Sequence, residues 1–280
     1  MYAQIAGKIK LALAPPEPEW AHAAFYLTAR GLTSGPLPHG EQALELAFDF
    51  ISHEFRILSS DGGIRLIPLW PGSVATFYIE VMAALRSLDA AVEISTMPQE
   101  VPGAIPFDRD HVHASYDPLH AHRFWRTLSR IDAIFKQHRA PFRGRHTPVH
   151  FFWGSFDLAY ERFSGRPAAP PPNADAIGRE SMDAQGIAAG FWPGDARFPE
   201  PAFYCYAYPK PERLESAAIA PAAAFWSTEL GEFILRYEDV RTSAAPREAI
   251  ATFLTATFEA CAKQAGWNSS APEPSPAANA

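Results

Sequence analysis

The chain has 280 residues, 48% hydrophobic and 20% charged, with a formal net charge of −7. Without clustered Lys and Arg, that acidic balance excludes a role built on phosphate-backbone binding. Two cysteines, Cys205 and Cys261, are too few for a disulfide framework.

No apolar run approaches the roughly eighteen residues of a membrane span, so no membrane partner is expected. The opening MYAQIAGKIKLALAPPEPEW is no secretory signal, because prolines follow its short apolar run. A soluble cytoplasmic protein is the expectation.

In chain order, residues 4–14 suit a short helix and HAAFYLTARGLT (22–33) an aromatic strand. In ALELAFDFI (43–51), Leu44, Leu46, Phe48 and Phe50 fall on one face. Asp61-Gly62-Gly63 supplies the positive φ of a tight turn, so EFRILSSDGGIRLIPL reads as a hairpin. Ser73 is a candidate N-cap. Val74, Phe77, Tyr78, Val81, Met82, Leu85 and Leu88 follow at helical spacing. AVEIST (91–96) suits a further strand.

A long helix is expected over 118–139, with Phe124, Leu128, Ile131 and Phe135 as its apolar stripe. TPVHFFWGSFDLAYERF (147–163) is apolar at both parities, as in a strand buried on both faces. The proline-rich stretch 164–201 is expected to be irregular: a lid, a binding loop or a disordered insertion. FYCYAY, AAAFWST and EFILRYE read as strands, and Pro246–Ala265 as a helix with Gly266 at its C-cap. Residues 268–280 are expected to be a disordered tail.

Strands in runs rather than in alternation with helices make the class α+β, with antiparallel sheets and flanking helices. The expected halves are 1–100 and 101–267, packed as one globular unit. They read either as a duplicated helix–sheet–helix unit or as two similar stretches by chance.

No phosphate-binding glycine loop, dinucleotide fingerprint, G-x-S-x-G elbow or C-x-x-C is present. HASYDPLHAHRFW (113–125) is dense in chemistry. Asp117 before Pro118 is a natural N-cap. His120 and His122 would lie about 200° apart on a helix and cannot share an ion. His111 and His113 share a face if extended, the geometry of a two-His metal chelate.

In VHFFWGSFDL, a single strand puts His150 on one face and Trp153, Ser155 and Asp157 on the other. His150 and Asp157 are either a satisfied core pair, Asp157 bonded to Arg30 or a backbone N–H, or part of a cleft near His113. Ser155 with a His and an Asp is formally a triad set, but no elbow presents it. Phe191 and Trp192 fall in the long loop. Tyr204, Tyr206 and Tyr208 share a face. Arg30 suits either an anion clamp or a structural ion pair.

TARGLT, SVATFY, HASYD, HRFW, VHFFWGSFDL, GFWPG and FYCYAYP resemble the motifs of an uncharacterised bacterial family, a domain of unknown function. The likeness runs from about residue 4 to 267. It implies a soluble bacterial protein with no known activity, substrate or cofactor, and assigns no functional residue. Arg236 stands in FILRYE where that family's pattern suggests proline.

Three functions fit these readings. One is an enzyme or binding protein for a small organic molecule, with an aromatic- and His-lined site between the halves. Its catalytic candidates are His113, His150 and Asp157. Its ligand-binding candidates are Arg30, Tyr116, Trp153, Ser155, Trp192 and Tyr206. The second is a metal-dependent hydrolase using His111 and His113. The third is a non-catalytic structural or interaction protein. No cofactor, substrate or oligomeric state is specified.

Overall fold

The computed structural model describes residues 1–267. The chain is α+β, with two antiparallel sheets and flanking helices. It divides into two compact units: Met1–Arg130 with His150–Phe156, and Ile131–Val149 with the chain from Asp157 onward.

The first unit opens with α1 (Tyr2–Leu13). Five strands follow as a plain meander: β1 (Tyr26–Leu27), β2 (Gly31–His39), β3 (Gln42–Asp49), β4 (Glu54–Ser59) and β5 (Ile64–Pro68). Gly62, at φ +87°, turns the last hairpin. Then comes α2 (Val74–Arg86), capped by Ser73, whose hydroxyl accepts the Thr76 N–H at 3.1 Å. Helix α3 (Pro118–Arg139) starts at Asp117, which accepts the His120 N–H at 2.9 Å. The short strand β6 (His150–Phe152) returns to this unit, where Phe151 and Phe25 exchange backbone hydrogen bonds.

The core of this unit follows from strand alternation. Leu44, Leu46 and Phe48 on β3 face inward beside Phe55 and Ile57 on β4. Phe55 meets Phe48 at 4.8 Å and the α2 residue Phe77 at 5.5 Å between ring centroids. Lys10, only 4% exposed, satisfies its buried ammonium by donating to the carbonyls of Ala24 and Ser34. The opposite face is wetter. On the edge strand β5, Ile64 and Leu66 are 57% and 53% exposed.

The second unit contains β7 (Asp157–Pro167), α4 (Ala176–Ser181), β8 (Ala184–Trp192), β9 (Ala202–Tyr208), β10 (Phe225–Ser227), β11 (Glu232–Arg236), α5 (Tyr237–Arg241) and α6 (Pro246–Gln264). The order across its strands is β10–β11–β9–β8–β7. Its buried face carries Leu158, Tyr160, Ile187, Phe191, Phe203, Cys205 and Phe233, with α6 packed on β8 and β9 through Phe253, Leu254 and Cys261. Arg162 is 4% exposed within this face. It sits over the rings of Phe258 at 4.3 Å and Phe142 at 5.2 Å, and donates to the His138 carbonyl.

Several expectations are corrected. Residues 22–33 are not one strand: the Thr28 hydroxyl accepts the N–H groups of Arg30 and Gly31 and turns the chain between β1 and β2. AVEIST is irregular, and its Thr96 carbonyl accepts the Phe107 N–H instead of a strand partner. The stretch 147–163 breaks between β6 and β7, where Phe156 takes φ +62°. Much of 164–201 is ordered, since β7 runs to Pro167 and β8 spans Ala184–Trp192. In α3, Trp125 rather than Phe124 is buried with Leu128, Ile131 and Phe135, and His120 is exposed.

Along the chain the first unit gives way to the second after Arg130. The first sheet is a plain meander, whereas β11 lies between β9 and β10 in the second. The tail expected over 268–280 lies outside the described residues.

Phe55 is fully buried. Phe55→Ala is expected to cost about 3–5 kcal/mol, read as a lower urea midpoint at an unchanged slope. A loss below about 1 kcal/mol would mean that this ring is not in the core.

Candidate functional site

The strongest chemistry in the first unit lies in the loop before α3. Asp110 has no exposed surface. One of its oxygens accepts the N–H groups of Val112 (3.2 Å) and His113 (3.0 Å), and the other lies 2.8 Å from Nδ1 of His113. Burial pushes the Asp110 carboxyl up. The His113 N–H, its imidazole and the Val112 N–H outweigh that and hold it below the usual carboxylate range. An ionised carboxylate only accepts, so Nδ1 carries a proton, and Nε2 is the ring nitrogen not engaged by Asp110. The His113 side chain is 54% exposed.

Helix α2 fixes this loop from below. Val74 N–H donates to the His113 carbonyl and Ala75 N–H to the Asp110 carbonyl, both at 3.0 Å. Three residues on, Tyr116 and Nδ1 of His53 share a hydrogen bond at 2.9 Å. Burial, with the Tyr2 phenol nearby, pushes Tyr116 up to about 12. Tyr2 donates to the Gly72 carbonyl at 2.8 Å. Exposed apolar residues flank these groups along the chain: Trp70 (53%), Val112 (74%) and Leu119 (63%).

The expected extended segment 111–113 is therefore an Asx turn over Asp110. It commits Nδ1 of His113 to Asp110. Among the described residues, no group of three His, Cys, Asp or Glu side chains is arranged to hold a metal ion.

The second unit gathers polar and aromatic groups on the other face of its sheet, where Asp157 and Ala188 are buried. On the outer side of its sheet, Asp157 and Glu161 of β7 lie beside Gly186, Ala188 and Gly190 of β8, then Tyr204, Tyr206 and Tyr208 of β9. Small residues on β8 let the tyrosines lie across it. A Cβ at Gly190 would fall 2.3 Å from the Tyr204 ring, and the Tyr204 hydroxyl donates to Asp157 at 2.5 Å. Tyr206 stacks beside Tyr204 at 6.2 Å, and Trp192 meets Tyr204 edge-on. Burial raises Glu161 to about 8, with Arg145 opposing and Asp183 reinforcing. Burial likewise raises Glu232 to about 7, against Arg197.

The remaining sequence candidates are placed as follows. Arg30 pairs with Asp49, whose other contacts are Arg56 and the N–H groups of Ile51 and Ser52. Asp157 is thus the partner of Tyr204 and not of Arg30. Trp153 is buried in the first unit, its indole filling the space a Cβ on Gly7 would need and donating to the Ala23 carbonyl at 2.9 Å. His150 is 2% exposed, edge-on to Tyr26 and Phe152. Ser155 is exposed in the turn after β6. The space beside Gly154 is taken by Glu100, 2.7 Å from an ideal Cβ. Trp192 ends β8 rather than hanging in a loop.

His113 and Tyr116 thus share one loop, and Asp157, Trp192 and Tyr206 share one sheet face. Asp110, Glu161 and Glu232 are not singled out by the sequence, and His53 opens HEFRI, which lacks the second histidine of a zinc-protease helix. Only Asp110, three residues before His113, carried a local signal.

A family profile covers residues 1–274. The chain belongs to DUF5996, a family of unknown function. No curated protein and no solved structure matches it. Membership agrees with the resemblance to a family of unknown function and leaves function to be argued from the residues. No helix among the described residues is long and apolar enough to cross a membrane.

Glu161 carries a pH signature. Its folded value, about 8, lies above its ordinary 4.5, so the folded state holds a proton that the unfolded state has lost. Stability from this group is full below pH 4.5 and falls as pH rises through about 8. Glu161→Gln is expected to flatten the fall in melting temperature over that range. An unchanged slope would place the titration elsewhere.

Proposed function

We propose that this protein is an enzyme acting on a small organic molecule in its first unit, with His113 as the general base. The observation that carries this reading is the Asp110–His113 pair. A carboxylate with no exposed surface engages Nδ1 of the imidazole, on a side chain that is itself half-exposed, which leaves Nε2 to serve as the base. A histidine serving only as surface would need no such orienter.

In this reading Asp110 is a positioning residue. His113 takes a proton from water or from a substrate hydroxyl or carbon acid, and returns it to the product. Tyr116 and His53 offer a second hydrogen-bonding pair, and Trp70, Val112 and Leu119 supply apolar surface for a substrate. The setting proposed is the bacterial cytoplasm, in keeping with two buried cysteines that are both free.

Two measurements test this. Nitrogen-15 NMR of histidine-labelled protein should show His113 protonated on Nδ1 when neutral, with Asp110→Asn disturbing that state. A panel of small esters, lactones and carbon acids should yield a turnover that falls about 10²–10⁴-fold in His113→Ala while melting stays near wild type. An Nε2-protonated tautomer, or turnover indifferent to His113, would overturn the reading.

A further inference from the structure

A base works fastest beside a donor that takes up the negative charge it creates. The backbone N–H groups around His113 are already spent. Val112 and His113 give theirs to Asp110, and Val74 and Ala75 give theirs to the carbonyls of His113 and Asp110. The Thr76 N–H goes to Ser73. None of these can serve as an oxyanion hole. The Tyr116 hydroxyl is a donor on the same loop. Burial keeps it protonated, so it gives a hydrogen bond and does not act as a base. Three residues span at most about 11 Å between Cα atoms, so one small molecule can meet both side chains. The site is open: His113, Ala114 and Ser115 are exposed, and Tyr116 is half-buried.

Tyr116 is bonded to a residue whose own backbone is constrained. His53 lies in the turn between β3 and β4. Asp49 accepts the N–H groups of Ile51 and Ser52 in that turn, both at 2.9 Å, and pairs with Arg30 and Arg56. The His53 carbonyl accepts the Leu69 N–H at 2.8 Å. His53 takes φ +54°, a left-handed backbone that glycine or asparagine adopts more readily. Neither would carry a ring to Tyr116. The imidazole meets the phenol edge-on, 6.0 Å between centroids, with Nδ1 2.9 Å from the hydroxyl. A hydroxyl that accepts a hydrogen bond from Nδ1–H keeps its own proton free, and donates it more strongly.

With His113 as the base, on which this rests, we infer that the Tyr116 hydroxyl binds the substrate's carbonyl oxygen, that His53 is its positioning residue, and that the substrate is a small carbonyl compound with a proton on its α-carbon. The step balances without a co-reactant. Nε2 of His113 takes the α-proton. The C–H electron pair becomes the C=C bond of an enolate, and the C=O pair moves onto oxygen, where the Tyr116 O–H stabilises it. His113 then returns a proton to carbon, which completes exchange or isomerisation.

Two measurements test this, both on the full chain. Nitrogen-15 NMR of histidine-labelled protein should show His53 protonated on Nδ1, with Tyr116→Phe shifting that signal. An Nε2-protonated His53 would take the Tyr116 proton instead, which overturns the inference and leaves His113 untouched. The second is α-proton exchange in D2O, followed by proton NMR, with cyclohexanone, pyruvate and dihydroxyacetone as probes. At least one should exchange, and His113→Ala should slow it about 10²–10⁴-fold. Tyr116→Phe, checked by thermal melting, should lower kcat about 10²-fold at nearly unchanged KM. His53→Asn suits the left-handed backbone, so it should melt near wild type and still lose about 10²-fold in kcat. Exchange that needs His113 but is indifferent to Tyr116 overturns this inference alone. Exchange with none of the probes also overturns it, while the His113 reading still stands or falls on its esters and lactones.

Discussion

A polar side chain withdrawn from water must find a partner or hold its neutral form, and that requirement organises both units. In the first unit it is met by pairing. Lys10 gives its protons to two carbonyls, Asp49 collects two arginines and two backbone N–H groups, and Asp110 takes two N–H groups and an imidazole. In the second unit it is met by neutrality. Burial holds Glu161 and Glu232 protonated near pH 7 and pushes His138 down to about 3, so it stays uncharged beside Arg162.

The two solutions give the units different chemistry. Pairing fixes geometry: His113 has one tautomer because its neighbour can only accept. Neutrality stores responsiveness: an acid kept protonated by its surroundings changes charge when those surroundings change. The first suits a catalyst, which needs a group held in one orientation before substrate arrives.

Much of the fold was legible where local rules act alone. Ser73 capping α2, Asp117 before Pro118, the Asp61-Gly62 turn and the stripe of α6 are each decided within a few residues. Errors came where tertiary pairing overrode pattern. AQGIAAGFW forms β8 without the β-branched residues that mark strands, because small side chains are what lets Tyr204 cross it. VHFFWGSFDL looked continuous, yet one left-handed residue, Phe156, splits it and sends Trp153 and Asp157 into different units. His113 and Tyr116 were found because they lie in one dense motif. Glu161 and Glu232 could not be, since strand register alone puts them in one row.

The edge strand β5 has a consequence of its own. Its outer side has no neighbour within the sheet, and Ile64 and Leu66 stand exposed along it. Such an edge is a template for a foreign strand, the usual first step of uncontrolled association. Pro68 closes the strand without an N–H to offer, and Arg65, on the opposite face, ties the edge to Ser87 at the end of α2. A recruited strand would therefore find only a few backbone groups before the ladder ends. The ladder is short, and its hydrophobic rim stays in contact with solvent.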